Sequence, residues 1–151
     1  MKSVAMNLLG NTADAEDAVQ EAFLKLFRSL PTFKGESLLS TWLYRILVNT
    51  CYDIGRRRQR RGVEAALDDD SKAWEIRAPQ GDASLRVTLE RTVADLPEPQ
   101  RSVFVLFEVE GFKHREIAQI LEIPEGTSKH ALFVAKRALQ ERLLAAREER
   151  A

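Results

Sequence analysis

The chain has 151 residues, 44% apolar and 30% charged, with 23 basic side chains against 23 acidic ones. That composition suits a soluble globular protein of one ordinary domain or two very small ones, and its zero net charge announces no field toward nucleic acid. A single cysteine, Cys51, excludes an internal disulfide and a thiolate metal cluster; with no membrane-length apolar run and no signal-peptide pattern, a cytoplasmic protein is expected.

Val4, Leu8 and Leu9 precede Gly10, which predicts a helix from about Met1 with a glycine stop. The next helix is the clearest in the chain. Ala15, Ala18, Val19, Ala22, Phe23, Leu26, Phe27 and Leu30 keep the i, i+3, i+4, i+7 spacing throughout. Asn11 or Thr12 can cap it, Asp14, Glu16 and Asp17 suit the positive end of its dipole, and Pro31 stops it. A short loop, Phe33-Lys34-Gly35-Glu36-Ser37, leads to a third helix with Leu39, Trp42, Leu43, Ile46, Leu47 and Thr50 on its buried stripe. Its other side carries Arg45, Asn49, Asp53, Arg56 and Arg57.

From Gly62 to Asp82 the periodicity dissolves, and Asp68-Asp69-Asp70, Pro79 and Gly81 read as a linker. It resumes with Leu85, Leu89, Val93 and Leu96, then with Val103, Phe104 and Phe107 up to Gly111. Two shorter patterns end the chain, one with Ile117, Ile120 and Leu121, the other with Ser128, Leu132, Ala135, Leu139 and Leu143. Only Ile123-Pro124-Glu125-Gly126 separates them. No segment alternates with period two, so the fold class is all-α.

Charge is distributed unevenly. Residues 45–61 hold six arginines and one acid, residues 14–21 four acids and no base, and residues 64–75 five acids against Lys72. Separate surfaces for separate partners are expected. The arginines from Arg56 to Arg61 can neutralise several phosphates, although such a run also suits a merely solvated face. Tyr44 and Tyr52 interleave with this stripe, and aromatics beside arginines suit unstacked bases; Trp42 falls on the buried stripe and suits core packing. Asn49 suits a base edge or a satisfied surface amide.

The last two helices carry the spacing of a helix-turn-helix, whose second helix buries one stripe and offers the other to the major groove. At 100° per residue His130, Phe133, Val134 and Arg137 point outward, with Lys129 and Lys136 on the flank. Thr127 sits near the helix start, where free N–H groups meet phosphates. Phe133 and Val134 suit thymine methyl groups or a protein contact. The same spacing also fits an ordinary helical hairpin whose charges face water.

Asp14-Ala15-Glu16-Asp17-Ala18-Val19-Gln20-Glu21-Ala22-Phe23 resembles the polymerase-binding helix of extracytoplasmic-function sigma factors, in the sigma-70 family of bacterial RNA polymerase. Phe33 to Ser37 and Thr41-Trp42-Leu43-Tyr44-Arg45-Ile46 resemble the promoter-melting loop and helix of the same domain. Leu96-Pro97-Glu98-Pro99-Gln100-Arg101 and Gly111-Phe112-Lys113-His114-Arg115-Glu116-Ile117-Ala118 resemble the second sigma domain. The resemblance runs in order along nearly the whole chain. It implies a sigma-2-like helical bundle over 1–61, a flexible linker over 62–83, and a sigma-4-like helix-turn-helix over 84–151.

It also implies roles. Asp17, Gln20, Glu21 and Leu24 would dock on the clamp helices of the largest polymerase subunit. Phe33, Lys34, Gly35, Ser37 and Thr41 would capture a flipped base of the minus-ten element, with Arg45 and Asn49 on the supporting helix and Arg56 and Arg57 on the phosphates. Thr127, Lys129, His130, Phe133 and Arg137 would meet the minus-thirty-five element. The acidic linker would thread toward the RNA exit path. Core polymerase, promoter DNA and an anti-sigma factor are the implied partners, without membrane insertion.

Two departures from the family pattern carry expectations. Relatives usually have further helix ahead of Met1, so the stripe from Ala15 to Leu30 should be partly uncovered. Ala131 and Val134 stand where relatives commonly carry arginine, which should weaken minus-thirty-five binding and flatten its salt dependence. A sigma-like regulator that binds polymerase or an anti-sigma factor without productive initiation is the alternative function. An enzyme fits poorly: His114 and His130 lie on separate helices and Cys51 in the other half, so neither a triad nor metal-ligand spacing arises, and no cofactor is expected.

Overall fold

A computed structural model describes residues 1–66 and 83–149, and no strand occurs among them. The acidic triplet Asp68–Asp70 and most of the expected linker lie outside the described residues. Helix α1 runs from Lys2 to Leu9 and ends at Gly10, whose φ of 77° is the left-handed conformation that glycine adopts without penalty. Its N–H bonds the Met6 carbonyl at 2.8 Å. Asn11 then caps α2 (Thr12–Ser29), its Oδ1 accepting the Asp14 N–H at 2.8 Å. A 3₁₀ turn at Leu30–Thr32 takes Pro31 in its first positions and turns the chain toward the loop.

Helix α3 (Leu39–Ala66) is longer than the spacing predicts, continuing past residue 61 into the expected linker. It packs on both α1 and α2. Val4, Ala5, Leu8 and Leu9 of α1, Ala15, Ala18 and Ala22 of α2, and Leu47, Val48 and Cys51 of α3 form the core of this half. Alanines on α2 let its axis approach closely. The lower half of the α2 stripe is uncovered as expected: Phe23, Phe27 and Leu30 are exposed. Leu39, expected on the buried stripe of α3, is exposed too, at the first position of the helix.

The second half comprises α4 (Ala83–Ala94), α5 (Glu98–Phe104) with a π-helical turn at Val105–Val109, α6 (His114–Leu121) and α7 (Glu125–Glu148). Val103, Val105, Leu106, Ile117, Ile120, Leu132, Ala135 and Leu139 meet in its core. The turn between α6 and α7 differs from the predicted glycine turn. The left-handed residue is Glu122, with φ of 55°, while Gly126 lies within the first turn of α7. Helix α7 is also a long element of 24 residues.

The two halves are packed together. Helix α3 lies against α6, and α1 lies against α4 and the π turn. Tyr44 sends its hydroxyl to Glu110 Oε2 at 2.9 Å, and its ring meets Phe112 edge-on at 4.9 Å. Tyr52 and Ser102 share a hydroxyl–hydroxyl hydrogen bond. Both tyrosines, expected beside unstacked bases, are spent on this contact.

Candidate polymerase and nucleic-acid surfaces

The α2 face opposite the core carries Asp17, Gln20, Glu21 and Leu24. Asp17 and Gln20 are exposed, Glu21 is half-buried, and Leu24 is 55% exposed. Leu24 is thus an apolar side chain held in water beside acids and an amide. Glu21 is held from two sides, by Lys25 Nζ at 3.0 Å and by an Arg57 guanidinium nitrogen at 3.5 Å. The Lys25 hydrogen bond, with the positive charges of Lys25 and Arg57, keeps its carboxyl below the usual carboxylate range despite partial burial. Lys25 is itself anchored on the buried Thr50 hydroxyl at 3.2 Å.

The loop that follows is supported by one aromatic stack. Phe33 lies on Trp42 with ring centroids 4.8 Å apart and planes 26° from parallel. Trp42 is therefore only partly in the core, and it braces the loop. Gly35 has φ of 72° with open space around it, which lets the chain reverse there. Lys34 and Gly35 are exposed, and Phe33 and Ser37 partly so. Thr41 is a correction: it is only 1% exposed, buried in the first turn of α3. Its side chain offers no surface to a base.

Asn49 is exposed on α3, with Arg56 and Arg57 about two turns further along. Arg45 is otherwise engaged. Its Nε and one terminal nitrogen both donate to the Gln119 carbonyl of α6, at 2.9 and 2.5 Å, and Glu122 lies 3.6 Å away. Arg58, which the sequence left among the undifferentiated basic run, donates to the Leu9 carbonyl at 3.1 Å and pairs with Asp14 at 3.4 Å. It satisfies one free carbonyl at the end of α1.

On α7, Ser128, Ala131, Leu132, Ala135 and Leu139 are buried, and Thr127, Lys129, His130, Phe133 and Arg137 are exposed. Phe133 is 63% exposed on that outward face. No side chain caps the helix, so the N–H groups of its first turn are open around Thr127. Lys129 pairs with Glu125 at 3.5 Å and Arg137 with Glu141 at 3.1 Å, both one turn apart. Ala131 corrects the sequence reading, since a residue 8% exposed and packed in the core leaves no lost DNA contact there. Only Val134 stands on the partly open side. His114 Nδ1 bonds the buried Ser128 hydroxyl at 2.9 Å, and its ring stacks on Phe107. This polar clasp ties α6 to the start of α7.

Cys51 is buried, and burial pushes its thiol up to about 12. No group of three metal-ligating side chains is placed to hold an ion among the described residues. No described helix is long and apolar enough to cross a membrane.

Known proteins match this arrangement in two blocks. Sigma-70 region 2 matches residues 1–61, and Sigma-70 region 4 matches residues 86–139. The ECF RNA polymerase sigma-E factor of Escherichia coli is 36% identical, over 87% of this chain and 75% of that protein. RNA polymerase sigma-H factor of Pseudomonas aeruginosa is 34% identical, over 86% of this chain and 73% of its own length. Among solved structures, the sigma factor RpoE of Bartonella quintana, bound to the anti-sigma factor NepR, matches with a TM-score of 0.75 at 27% identity, covering 94% of this chain and 88% of that one. CnrH, in complex with the cytosolic domain of CnrY, shares the fold with a TM-score of 0.70 at 24% identity, over 95% of this chain and 80% of that one. With both regions present in order and 36% identity to the sigma-E factor over 87% of its length, this chain belongs to the extracytoplasmic-function sigma factors of RNA polymerase.

Proposed function

We propose that the chain works in the cytoplasm as a promoter-specificity subunit, docking on core polymerase through α2 and engaging promoter DNA through α3 and α7. It carries no catalytic step of its own. The observation that carries the docking is Leu24, exposed on α2 among Asp17, Gln20 and Glu21. The loop with Phe33, Lys34, Gly35 and Ser37, backed by Trp42, forms the minus-ten site with Asn49, and Arg56 and Arg57 take its phosphates. Thr127, Lys129, His130, Phe133 and Arg137 face the minus-thirty-five element. Arg45 joins the DNA contacts only after α6 leaves it.

An anti-sigma factor is the further proposed partner, supported by the whole-chain similarity to a sigma factor bound to NepR. Run-off transcription with core polymerase on a promoter cognate to the chain is the test. A transcript that depends on this chain, and that falls with Leu24→Ala, supports the reading. Polymerase binding without any transcript leaves the second reading, a regulator that holds polymerase without initiating. The occupied Arg45 is what favours that reading.

A further inference from the structure

Each arginine in the run Arg56-Arg57-Arg58 faces a carboxylate. Arg56 lies 3.8 Å from Asp53, Arg57 3.5 Å from Glu21 and Arg58 3.4 Å from Asp14. Asp53 belongs to α3 itself. Glu21 and Asp14 come from α2, across the helix boundary; they stand two turns apart and are met by two arginines adjacent in sequence on α3. Asp14, Asp17 and Glu21 line one shallow cleft with Arg57, Arg58 and Arg61. The acid face of α2 is therefore a counter-charge for the basic end of α3, although each face is read above as meeting a different partner.

We infer that Glu21 is a positioning residue that withholds Arg57 from DNA phosphates in the free factor, and that engagement of Glu21 by polymerase releases Arg57 to them. A carboxylate at ion-pair distance both occupies the guanidinium and repels an approaching phosphate. An exposed pair is weak, so the device is a brake of several-fold and not a lock. Polymerase groups that complement an acidic face take Glu21 over and remove both effects. Linkage makes the coupling reciprocal: DNA that takes Arg57 leaves Glu21 freer for polymerase. Lys25, fixed on Thr50, keeps Glu21 in place after Arg57 departs.

This inference rests on the reading of Arg57 as a phosphate contact, and the test separates the two. Full-length free protein is titrated against a fluorescein-labelled duplex of arbitrary sequence over a salt series. Glu21→Gln removes the counter-charge. Glu16→Gln removes the same charge on the same helix from a residue that pairs with Lys2 at 2.8 Å. We expect Glu21→Gln to tighten binding about three- to tenfold beyond Glu16→Gln, with a salt slope steeper by up to about 0.9, the value of one phosphate contact. That gain vanishes in an Arg57→Ala background. If Arg57→Ala weakens binding while Glu21→Gln matches Glu16→Gln, the coupling is overturned and the phosphate reading stands. If Arg57→Ala changes neither affinity nor slope, the phosphate reading fails and takes the coupling with it.

Discussion

Arg45 of α3 grips the main-chain carbonyl of Gln119 on α6 through two of its nitrogens, so the helix expected to read the minus-ten element holds the first helix of the expected helix-turn-helix. Promoter elements roughly 25 base pairs apart are separated by about 85 Å at 3.4 Å per step. A packed protein of this length has a radius of gyration of about 15 Å. For both elements to be engaged as proposed the halves must part, and the Arg45, Tyr44 and Tyr52 contacts must break. Arg45→Ala combined with Tyr52→Phe should raise the radius of gyration measured by small-angle scattering. An unchanged scattering curve would show that apolar packing and the Tyr44–Glu110 bond, not these contacts, hold the halves together.

High pH should open the same contact. Burial pushes Tyr52 up to about 12, and burial with the Glu110 hydrogen bond does the same for Tyr44, from an ordinary value of 10.0. Cys51 is pushed from 9.0 to about 12. All three have raised values in the folded state. Their contribution to stability is therefore complete below about pH 9 and is lost as pH rises toward 12. Thermal midpoints should be flat from pH 7 to 9 and fall beyond. Tyr52→Phe should flatten part of that fall; an identical alkaline limb in the variant would remove Tyr52 from the account.

Much of this molecule is legible in its sequence, for physical reasons that differ by residue. The α1 stop at Gly10 and the Asn11 cap are local backbone chemistry, so six residues suffice to read them. The outward face of α7 follows from helical period alone. Thr41 and Ala131, which only the resemblance placed toward DNA, show where such carry-over ends. A small residue is compatible with either face, and neighbouring helices decide which side is covered. Tyr44 and Tyr52 were beyond reach for another cause: their partners Glu110 and Ser102 are 66 and 50 residues away, across the segment where periodicity fails. The reversal between α6 and α7 at Glu122 also escaped, because Gly126 four residues on carries the stronger turn propensity.

The uneven cover of α2 predicts two different mutational costs. Leu47 is fully buried in α3, so Leu47→Ala should cost about 2–5 kcal/mol through lost burial and the cavity left behind. Phe27 is 69% exposed, and Phe27→Ser should stay within about 0.5 kcal/mol in the free chain. Urea unfolding gives both numbers. A cost for Phe27→Ser near that of Leu47→Ala would mean that something covers the lower half of α2 in solution.

Asn49 and Arg57 lie on the same outward side of α3 but should fail in different ways. Asn49 has an amide that can match a base edge, and such a contact discriminates by about 1–3 kcal/mol at a single position. Asn49→Ala should therefore lower affinity for the preferred promoter while leaving variants at that one position unaffected. Arg57 offers charge to a phosphate and carries no sequence information. Arg57→Ala should weaken polymerase holoenzyme on every promoter variant alike, with a salt slope shallower by about 0.9. Both are read from holoenzyme binding to a panel of single-base promoter variants at two salt concentrations. Uniform losses for Asn49→Ala would reduce it to a surface amide; position-dependent losses for Arg57→Ala would make it a base contact instead of a phosphate tether.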